Sequence, residues 1–233
     1  MAEAQVLTQK QLRDCGLFAQ LSDEGCERLL DRHRCGSHAA EQVFVMEQDW
    51  GESLFVLLSG IAKVRSYTAE GEEVVMSLLG SGEVFGEMAA LDGSPRSADV
   101  VALTPVRVAR LRAAPFTALL MEDPGLALAL ARLEAMRLRD LNQRFAVSAS
   151  DATTRLLAAL AYLARKSSSA NAVQAVIPPL AQRELAVLAG LARETASRTL
   201  SKLRSRGVVV DEKDGLSLAD LQPLIKRGLV PAG

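Results

Sequence analysis

The segment FGEMAALDGSPRSADVV, from Phe85 to Val101, places a Gly-Glu pair nine residues before an arginine, within sequence that otherwise favours strands. Gly86-Glu87 followed by Met88 predicts a single helical turn inserted between strands. The free backbone N–H groups and the dipole of such a turn can hold an anion. Arg96, which we expect on the next strand, can add a charge-assisted contact to phosphate oxygens.

The carboxylate of Glu87 cannot also favour a phosphate, so it needs a different partner. A ribose hydroxyl is a good donor to a carboxylate, and a cyclic phosphate leaves the 2′-hydroxyl free. Ser97 can donate to the phosphate or touch the base. The segment therefore predicts a cradle for a small molecule with a phosphate and a vicinal hydroxyl. The alternative is a salt bridge between Glu87 and Arg96 across a turn, with no ligand.

The surrounding sequence, from Val43 to about Leu111, consists of short runs rich in Val, Leu and Phe with a glycine about every ten residues. That pattern indicates an antiparallel β-roll or sandwich. The chain has 233 residues, which favours two small domains. Its net charge of −1 excludes a uniform basic coat, so any contact with nucleic acid must come from a local patch.

A long helix is predicted from Gly125 to about Ser148. One apolar face has a helical spacing, and two further leucines, Leu128 and Leu138, lie off it. The residues of the face are Leu126, Leu130, Leu133, Leu141 and Phe145. A helix that is apolar on two sides needs two surfaces to pack on, so we expect a parallel helix pair in a homodimer. The alternative is a helix buried within one subunit.

The segment QRELAVLAGLARETASRTLSKL, from Gln182 to Leu203, contains two short helical patterns. A helix-turn-helix needs a small residue within its first helix and a glycine where the chain reverses, and Ala186 and Gly190 satisfy both needs. Capping residues between Ser148 and Asp151 predict the hinge that precedes this domain.

Outward-facing residues of the second pattern carry chemistry suited to base edges. Arginine donates bidentately to guanine, and glutamate accepts from the cytosine amine. Six basic residues against two glutamates lie between Arg183 and Arg206, which is a local basic patch. Val208 to Leu218 then predicts a two-stranded wing. The expected DNA contacts are Gln182, Arg193, Glu194, Ser197, Arg198 and Lys202. The alternative is an ordinary helical hairpin with a solvated basic face.

In combination these motifs resemble the CRP/FNR family of bacterial transcription regulators over roughly residues 15 to 220. The resemblance rests on LFVLLSGIAKV at 54–64, GEVFGE at 82–87, PRSA at 95–98 and ARETASRTLSKLRSRGVV at 192–209. It implies an α+β chain with a cyclic-nucleotide-binding-type β-roll (1–114), a dimerisation helix and hinge (115–150) and a winged helix-turn-helix (151–233).

The resemblance also implies functions for individual residues. Gly86 and Glu87 match positions that bind the ribose of cyclic AMP, and Arg96 and Ser97 match positions that bind its phosphate; Met88 belongs to the same set. Base-contacting positions of the long helix fall at Asp140, Leu141 and Asn142, where the family's hydroxyl residues are absent. Cyclic AMP is the first expectation for the effector, with cyclic GMP, a cyclic dinucleotide, another signal or constitutive activity left open.

The resemblance implies double-stranded DNA with palindromic TGTGA-like half-sites as a partner, and RNA polymerase as a second one. No membrane contact is expected, because no long apolar run occurs. The odd number of cysteines favours a reducing cytoplasm.

The alternative classes are a metal or redox sensor, an enzyme and, more remotely, the regulatory cyclic-nucleotide module of an enzyme. The spacing of Cys15, Cys26, Cys35, His33 and His38 fits no metal-binding motif, and we expect no metal. No nucleophile elbow or phosphate loop occurs, so we expect no catalytic residues.

Overall fold

The computed structural model describes residues 6–168 and 170–231. The ends of the predicted domain ranges, 1–5 and 232–233, and position 169 lie outside the described residues. The chain divides into two compact units. The first is Met1–Val64 with Leu79–Arg139, and the second is Arg65–Leu78 with Asp140–Gly233.

The N-terminal half contains two four-stranded sheets, with strand orders β1-β8-β3-β6 and β2-β7-β4-β5. This arrangement confirms the predicted antiparallel β-roll. The elements are α1 (Gln9–Arg13), α2 (Asp23–Leu30), β1 (Arg34–His38), β2 (Val43–Val45), β3 (Ser53–Ser59), β4 (Ala62–Tyr67), β5 (Glu73–Leu79), β6 (Val84–Phe85), α3 (Glu87–Asp92), β7 (Asp99–Ala102), β8 (Val106–Arg112) and α4 (Ala113–Glu122).

Glycine is required where β3 turns into β4. Gly60 has a φ of 87°, and a Cβ there would lie 2.3 Å from the carbonyl oxygen of Pro105. A larger residue would therefore clash with backbone in a left-handed conformation. Strands β3 and β8 pair in register from Ser53 opposite Arg112, which holds the ends of both strands side by side.

A buried cluster joins the early helices to the strands of the first unit. Ser22 caps α2, since its hydroxyl accepts a hydrogen bond from the N–H of Gly25. Phe18 and Phe116 meet edge to face at the centre of this cluster. The cluster therefore fixes α4 against the sheet, directly before the long helix begins.

The long helix α5 (Pro124–Ser148) confirms the predicted helix, but its predicted apolar face is buried only in part. Leu126 and Leu130 are in the core of the first unit and Leu133 is half-buried, whereas Leu141 and Phe145 are exposed. The N-terminal half of the face therefore covers the core of one subunit, and the C-terminal half does not.

The second unit contains the predicted helix-turn-helix and wing. Its elements beyond α5 are α6 (Ala152–Ser167), α7 (Gln182–Leu188), α8 (Arg193–Ser205), β9 (Val209–Glu212), β10 (Gly215–Leu218) and α9 (Gln222–Ile225). Asp151 begins α6 by accepting hydrogen bonds from the N–H groups of Thr153 and Thr154. Residues 65–78 belong to the same unit, in which the N–H of Leu78 donates to the hydroxyl of Tyr162 at 3.1 Å.

The turn between α7 and α8 is formed as the sequence predicted. Gly190 has a φ of 59°, which favours glycine. Arg155 of α6 donates to the carbonyl oxygens of Ala189, at 3.0 Å, and Gly190. Ala186 is buried, so α8 can pack close to α7. These contacts hold α8 at a fixed angle, with one side exposed.

Candidate functional site

The predicted helical turn is present as α3, which begins immediately after Gly86. Gly86 has a φ of 80°, a left-handed conformation that turns the chain from β6 into the helix. Glu87 is the first residue of α3, and its side chain points into the first unit, where it is only 4% exposed. Met88, which follows, is exposed. We call Gly86, Glu87, Arg96 and Ser97 the cradle.

Glu87 is bound on one side only. Its Oε1 accepts a hydrogen bond from Nη1 of Arg137 at 2.7 Å, whereas its Oε2 is buried and has no hydrogen-bond partner among the described residues. Burial raises the pKa of the Glu87 carboxyl, and the charge of Arg137 opposes that rise. An unpartnered buried carboxylate oxygen costs free energy, which a hydroxyl donor from a ligand would recover.

Arg96 lies in the loop before β7, so the prediction that it belongs to the strand is wrong. The difference arises because β7 begins only at Asp99. The guanidinium is buried, where its Nη1 donates to the carbonyl of Gly86 at 2.8 Å and its Nη2 donates to the carbonyl of Ser53 at 2.5 Å. It also lies over the ring of Phe55. Burial, followed by the charge of Arg110, lowers the pKa of Arg96.

The alternative of a salt bridge between Glu87 and Arg96 is wrong for the described residues. Glu87 pairs with Arg137 instead, and Arg96 donates to backbone carbonyls. The two side chains are nevertheless close, because Arg96 binds the carbonyl of the residue directly before Glu87. An acceptor of hydroxyl protons and a donor to anions are thus brought together at the start of α3.

Arg137 is the residue of this site that the sequence interpretation missed. It also donates to the carbonyl of Val84 and, at 3.0 Å, to Oε1 of Glu134. Its position carried a signal, because it lies four residues before Leu141 and therefore on the same face of α5 as a predicted ligand-binding residue. Ser53 and Gly51 were also missed. A Cβ on Gly51 would come within 2.1 Å of the Arg96 guanidinium, so only glycine leaves room for it.

The remaining predicted ligand contacts are exposed. Ser97 is exposed beside Arg96, and Asp140, Leu141 and Asn142 are exposed residues of α5. The last three belong to the second unit, and their participation in ligand binding stays a prediction.

The predicted DNA contacts lie at the start of α7 and along α8. Gln182, Arg193, Glu194, Arg198 and Lys202 are exposed. Ser197 is half-buried, and the opposite face of α8 packs inward through Ala196, Leu200 and Leu203. Helix α8 therefore presents a polar, largely basic face.

The wing follows α8 directly. Strands β9 and β10 pair from Gly215 opposite Glu212 to Leu218 opposite Val209. Arg204 forms an ion pair with Asp211 of β9 at 2.6 Å, which links the end of the helix to the wing.

The cysteines and histidines are dispersed. Cys15 and Cys26 are buried, and burial raises the pKa of the Cys15 thiol to about 11. His33 accepts a hydrogen bond from the N–H of Leu7, and His38 stacks on Phe44. Within residues 6–168 and 170–231, no three His, Cys, Asp or Glu side chains are grouped as a metal site. None of the helices in that part of the chain combines the length and apolar character needed to cross a bilayer.

Comparison with known sequence families agrees with both units. Residues 36–123 match the family described as "Cyclic nucleotide-binding domain", and residues 154–227 match the "Crp-like helix-turn-helix domain". Together they define a cyclic-nucleotide-binding transcription regulator.

Sequence identity to individual proteins narrows the class to one family of regulators. It is 34% identical to the cyclic AMP receptor protein of Thermus thermophilus over 83% of this chain and 87% of that protein. It is 27% identical to a CRP-like cAMP-activated global transcriptional regulator of Mycobacterium tuberculosis, over 78% and 82%. The chain belongs to the CRP/FNR family of bacterial transcription regulators.

A solved structure shares the fold. The c-di-GMP responsive global regulator CLP of Xanthomonas campestris has a TM-score of 0.67 and 22% identity, over 85% of this chain and 100% of that one.

Proposed function

We propose that the protein is a DNA-binding regulator whose effector is cyclic AMP bound in the cradle. The observation that carries this proposal is the unpartnered Oε2 of Glu87, which is buried beside a guanidinium. A ribose 2′-hydroxyl would donate to that oxygen and relieve its desolvation.

The phosphate would bind Arg96. At present both terminal nitrogens of Arg96 donate to neutral carbonyls. A phosphate would accept stronger, charge-assisted bonds from the same atoms, and its negative charge would offset the effect of burial, which lowers the pKa of Arg96. Ser97, which is exposed beside it, would donate a further bond. Cyclic AMP carries the phosphate and the free hydroxyl on one ribose, as these residues require.

The base would be recognised by α5. Asp140 or Asn142 would contact the amine of adenine, and Leu141 would pack beside it. Cyclic GMP carries the same ribose and phosphate, so Asp140 to Asn142 would decide between the two. A cyclic dinucleotide is the other candidate, because the related CLP protein is described as responsive to c-di-GMP.

Calorimetric titration with cyclic AMP, cyclic GMP and c-di-GMP in parallel tests the effector. We expect saturable binding of cyclic AMP near one per subunit, lost in Arg96→Ala and retained in Arg107→Ala. Arg107 is a matched control, because it is an arginine of β8 outside the cradle. If heat were released only on titration with cyclic GMP or only with c-di-GMP, that nucleotide would be the effector instead of cyclic AMP. Absence of heat from all three would favour another signal or constitutive activity, and would leave the family assignment intact.

The proposal includes a homodimer formed through α5. Large apolar side chains are exposed along this helix without a covering surface among the described residues of one subunit. They are Leu128, Met136, Leu138, Leu141 and Phe145. A second copy of the helix would cover them and place two recognition helices about one DNA turn apart. Light scattering at micromolar concentration would contradict the dimer if it gave the mass of one chain.

The DNA site we propose is a palindrome of TGTGA-like half-sites. Gln182, Arg193, Glu194, Ser197, Arg198 and Lys202 would make the contacts. Binding to such a duplex, compared with a scrambled duplex of equal length, tests the sequence preference. Equal affinity for both at moderate salt would overturn it, because contacts to phosphate alone carry no sequence information.

Ligand would act by favouring one arrangement of the hinge between Ser148 and Asp151. It can do so only by its difference in affinity for the two arrangements. The proposed division is a sensor at 1–114, a dimerisation helix and hinge at 115–150 and a DNA-binding domain at 151–233. RNA polymerase would be the downstream partner in the cytoplasm, and the protein itself would catalyse no reaction.

A further inference from the structure

A cavity of about 750 Å³ opens on the first unit. None of the four cradle residues lines it, although Gly51 and Ser53, which lie beside Arg96, do. Its walls are the C-terminal end of α3, the start of α4, the adjoining ends of β3 and β8, and the segment before β1. Glu87, Arg96 and Ser97 are not among its lining residues. A volume of this size suits a small organic ligand, for which typical sites measure roughly 300 to 1,000 Å³.

Four arginines line this cavity: Arg32, Arg34, Arg110 and Arg112. Strand register places Arg34 of β1 directly opposite Arg110 of β8, and Arg112 follows two residues later on the same face. Like charges directly opposite each other destabilise a sheet. The fold therefore tolerates a repulsion that a bound anion would remove.

Acidic neighbours compensate only part of that charge. Asp31 lies 3.5 Å from Arg112 and 3.9 Å from Arg32, but all three side chains are about half exposed or more, so these pairs are weak. Glu52 is the acidic residue among the described residues that line the cavity. Burial and then the charge of Arg110 lower the pKa of the nearby Arg96.

Trp50 lies at the same cavity, and the residue is 77% exposed. It is the one tryptophan in the chain. A large aromatic side chain in water is available for stacking, and stacking against a nucleobase stabilises by about 1 to 3 kcal/mol per base.

We propose that this cavity is a second ligand site, which binds a nucleoside di- or triphosphate through Arg34, Arg110 and Arg112, with the base stacked on Trp50. Adjacent strands are about 5 Å apart and alternate residues of a strand about 7 Å apart, so the three guanidinium groups span more than one phosphate. Each can bind phosphate oxygens bidentately. A concave cavity with a stacking face at one edge favours a nucleotide over an acidic protein segment, which needs an extended surface.

Fluorescence of Trp50 gives a direct test on the full chain, because no other tryptophan contributes. The probe is ATP, with tripolyphosphate as the ligand that lacks a base. Excitation at the long-wavelength edge of indole absorption avoids absorption by adenine. We expect a saturable change in emission with ATP, and at least tenfold weaker binding in Arg34→Ala and in Arg112→Ala. Arg107→Ala, on the same strand as Arg112 but outside the cavity, should bind ATP as the parent does.

Calorimetry on the same variants guards against a binding event that leaves emission unchanged. Arg34 and Arg112 are exposed, so their loss should not unfold the protein, and matching thermal midpoints would check this. Excess cyclic AMP should not displace ATP, which separates this site from the cradle.

Several results would overturn the inference. One is the absence of saturable ATP binding by both methods. Another is ATP binding that survives in Arg34→Ala and Arg112→Ala but is lost in Arg96→Ala, which would place the nucleotide in the cradle. A third is an Asp/Glu-rich peptide that binds through the same arginines while ATP does not, which would make the cavity part of a protein interface.

Discussion

We propose that the cradle and helix α8 both bind negatively charged partners through arginines, but the two regions hold those arginines differently. Arg96 and Arg137 are bound to carbonyls and to Glu87 inside the first unit. Arg193 and Arg198 of α8 are exposed to solvent. In the proposed function, a ligand of the cradle would therefore replace bonds that already exist, whereas DNA would meet exposed side chains.

This difference between buried and exposed arginines is what we expect of a ligand-sensing domain joined to a DNA-binding domain. Exchange of internal bonds for ligand bonds can be coupled to a change in structure, because the same arginine cannot satisfy both partners at once. An exposed side chain ordered only by its target gives affinity without altering the fold.

The largest effect is expected from Arg137→Ala. This change leaves Glu87 buried without its partner, and breaking a buried pair costs about 3 to 5 kcal/mol. The carboxyl of Glu87 already has a raised pKa, and loss of Arg137 would raise it further. A carboxyl whose pKa is raised in the folded state contributes most to the free energy of unfolding when it is protonated. That contribution is lost as the pH rises through the folded-state pKa. The penalty, measured by urea unfolding, should therefore be larger near about pH 8 than near about pH 5.

Two controls define this result. Arg139→Ala removes an exposed arginine from the same helix and should leave stability nearly unchanged. Glu87→Gln on the Arg137→Ala background should recover much of the loss at the higher pH, because a neutral amide needs no counter-charge. A loss that was independent of pH would show that Arg137 acts by packing and not by charge.

The next effect is expected from Gly51→Ala. The new methyl would lie 2.1 Å from Nη2 of Arg96 and force the guanidinium off the carbonyls of Ser53 and Gly86. Loss of bonds from a buried charged donor should destabilise the protein by about 2 to 3 kcal/mol in urea unfolding. Gly16→Ala is the matched control, because a methyl there meets nothing within 4 Å. Equal stability of the two variants would mean that Arg96 is not held by the carbonyls of Ser53 and Gly86, and that it does not differ in this respect from the exposed arginines of α8.

The opposite behaviour is expected from Arg193→Ala on α8. Its side chain is exposed, so the free energy of unfolding should change by no more than about 0.5 kcal/mol. Specific DNA affinity should fall by about 1 to 3 kcal/mol. Lys202→Ala provides the contrast, because loss of a phosphate contact should weaken binding to all sequences alike and reduce the salt dependence. Large destabilisation by Arg193→Ala would remove the distinction between the two regions.

The sequence predicted the elements of the fold closely, because their signals are local. Ser22 and Asp151 cap helices, Gly190 turns the chain between α7 and α8, and the period of the apolar residues defines α5. Each of these depends on the residue itself and on its near neighbours in the chain.

The sequence indicated that Glu87 and Arg96 lie close together, but it did not predict how their side chains pair and it missed Arg137. The distance along the chain between Glu87 and Arg96 made a salt bridge between them plausible. The partner is instead Arg137, fifty residues from Glu87, and this pairing depends on how α5 packs against the strands. The partial burial of the apolar face of α5 has the same origin. Periodicity identifies a face, but the extent of the surface that covers it is set by tertiary structure.

The smallest effect is expected at Asp151. Its carboxylate is exposed like the arginines of α8, but it is hydrogen-bonded within the protein like the arginines of the cradle. Asp151 accepts bonds from the N–H groups of Thr153 and Thr154 and from the hydroxyl of Thr154. Asp151→Ala should therefore cost about 1 kcal/mol near neutral pH, whereas Asp151→Asn, which keeps the cap, should cost little.

The hydrogen bond from Thr154 lowers the pKa of the carboxyl below its ordinary 3.8. The stabilisation is then present above that ordinary value and is lost as the pH falls through the lowered one, so the penalty of the alanine variant should shrink in strong acid. Thermal unfolding of the two variants across the acidic range measures this. An alanine penalty that persisted unchanged in strong acid would mean that the cap does not depend on the charge of Asp151.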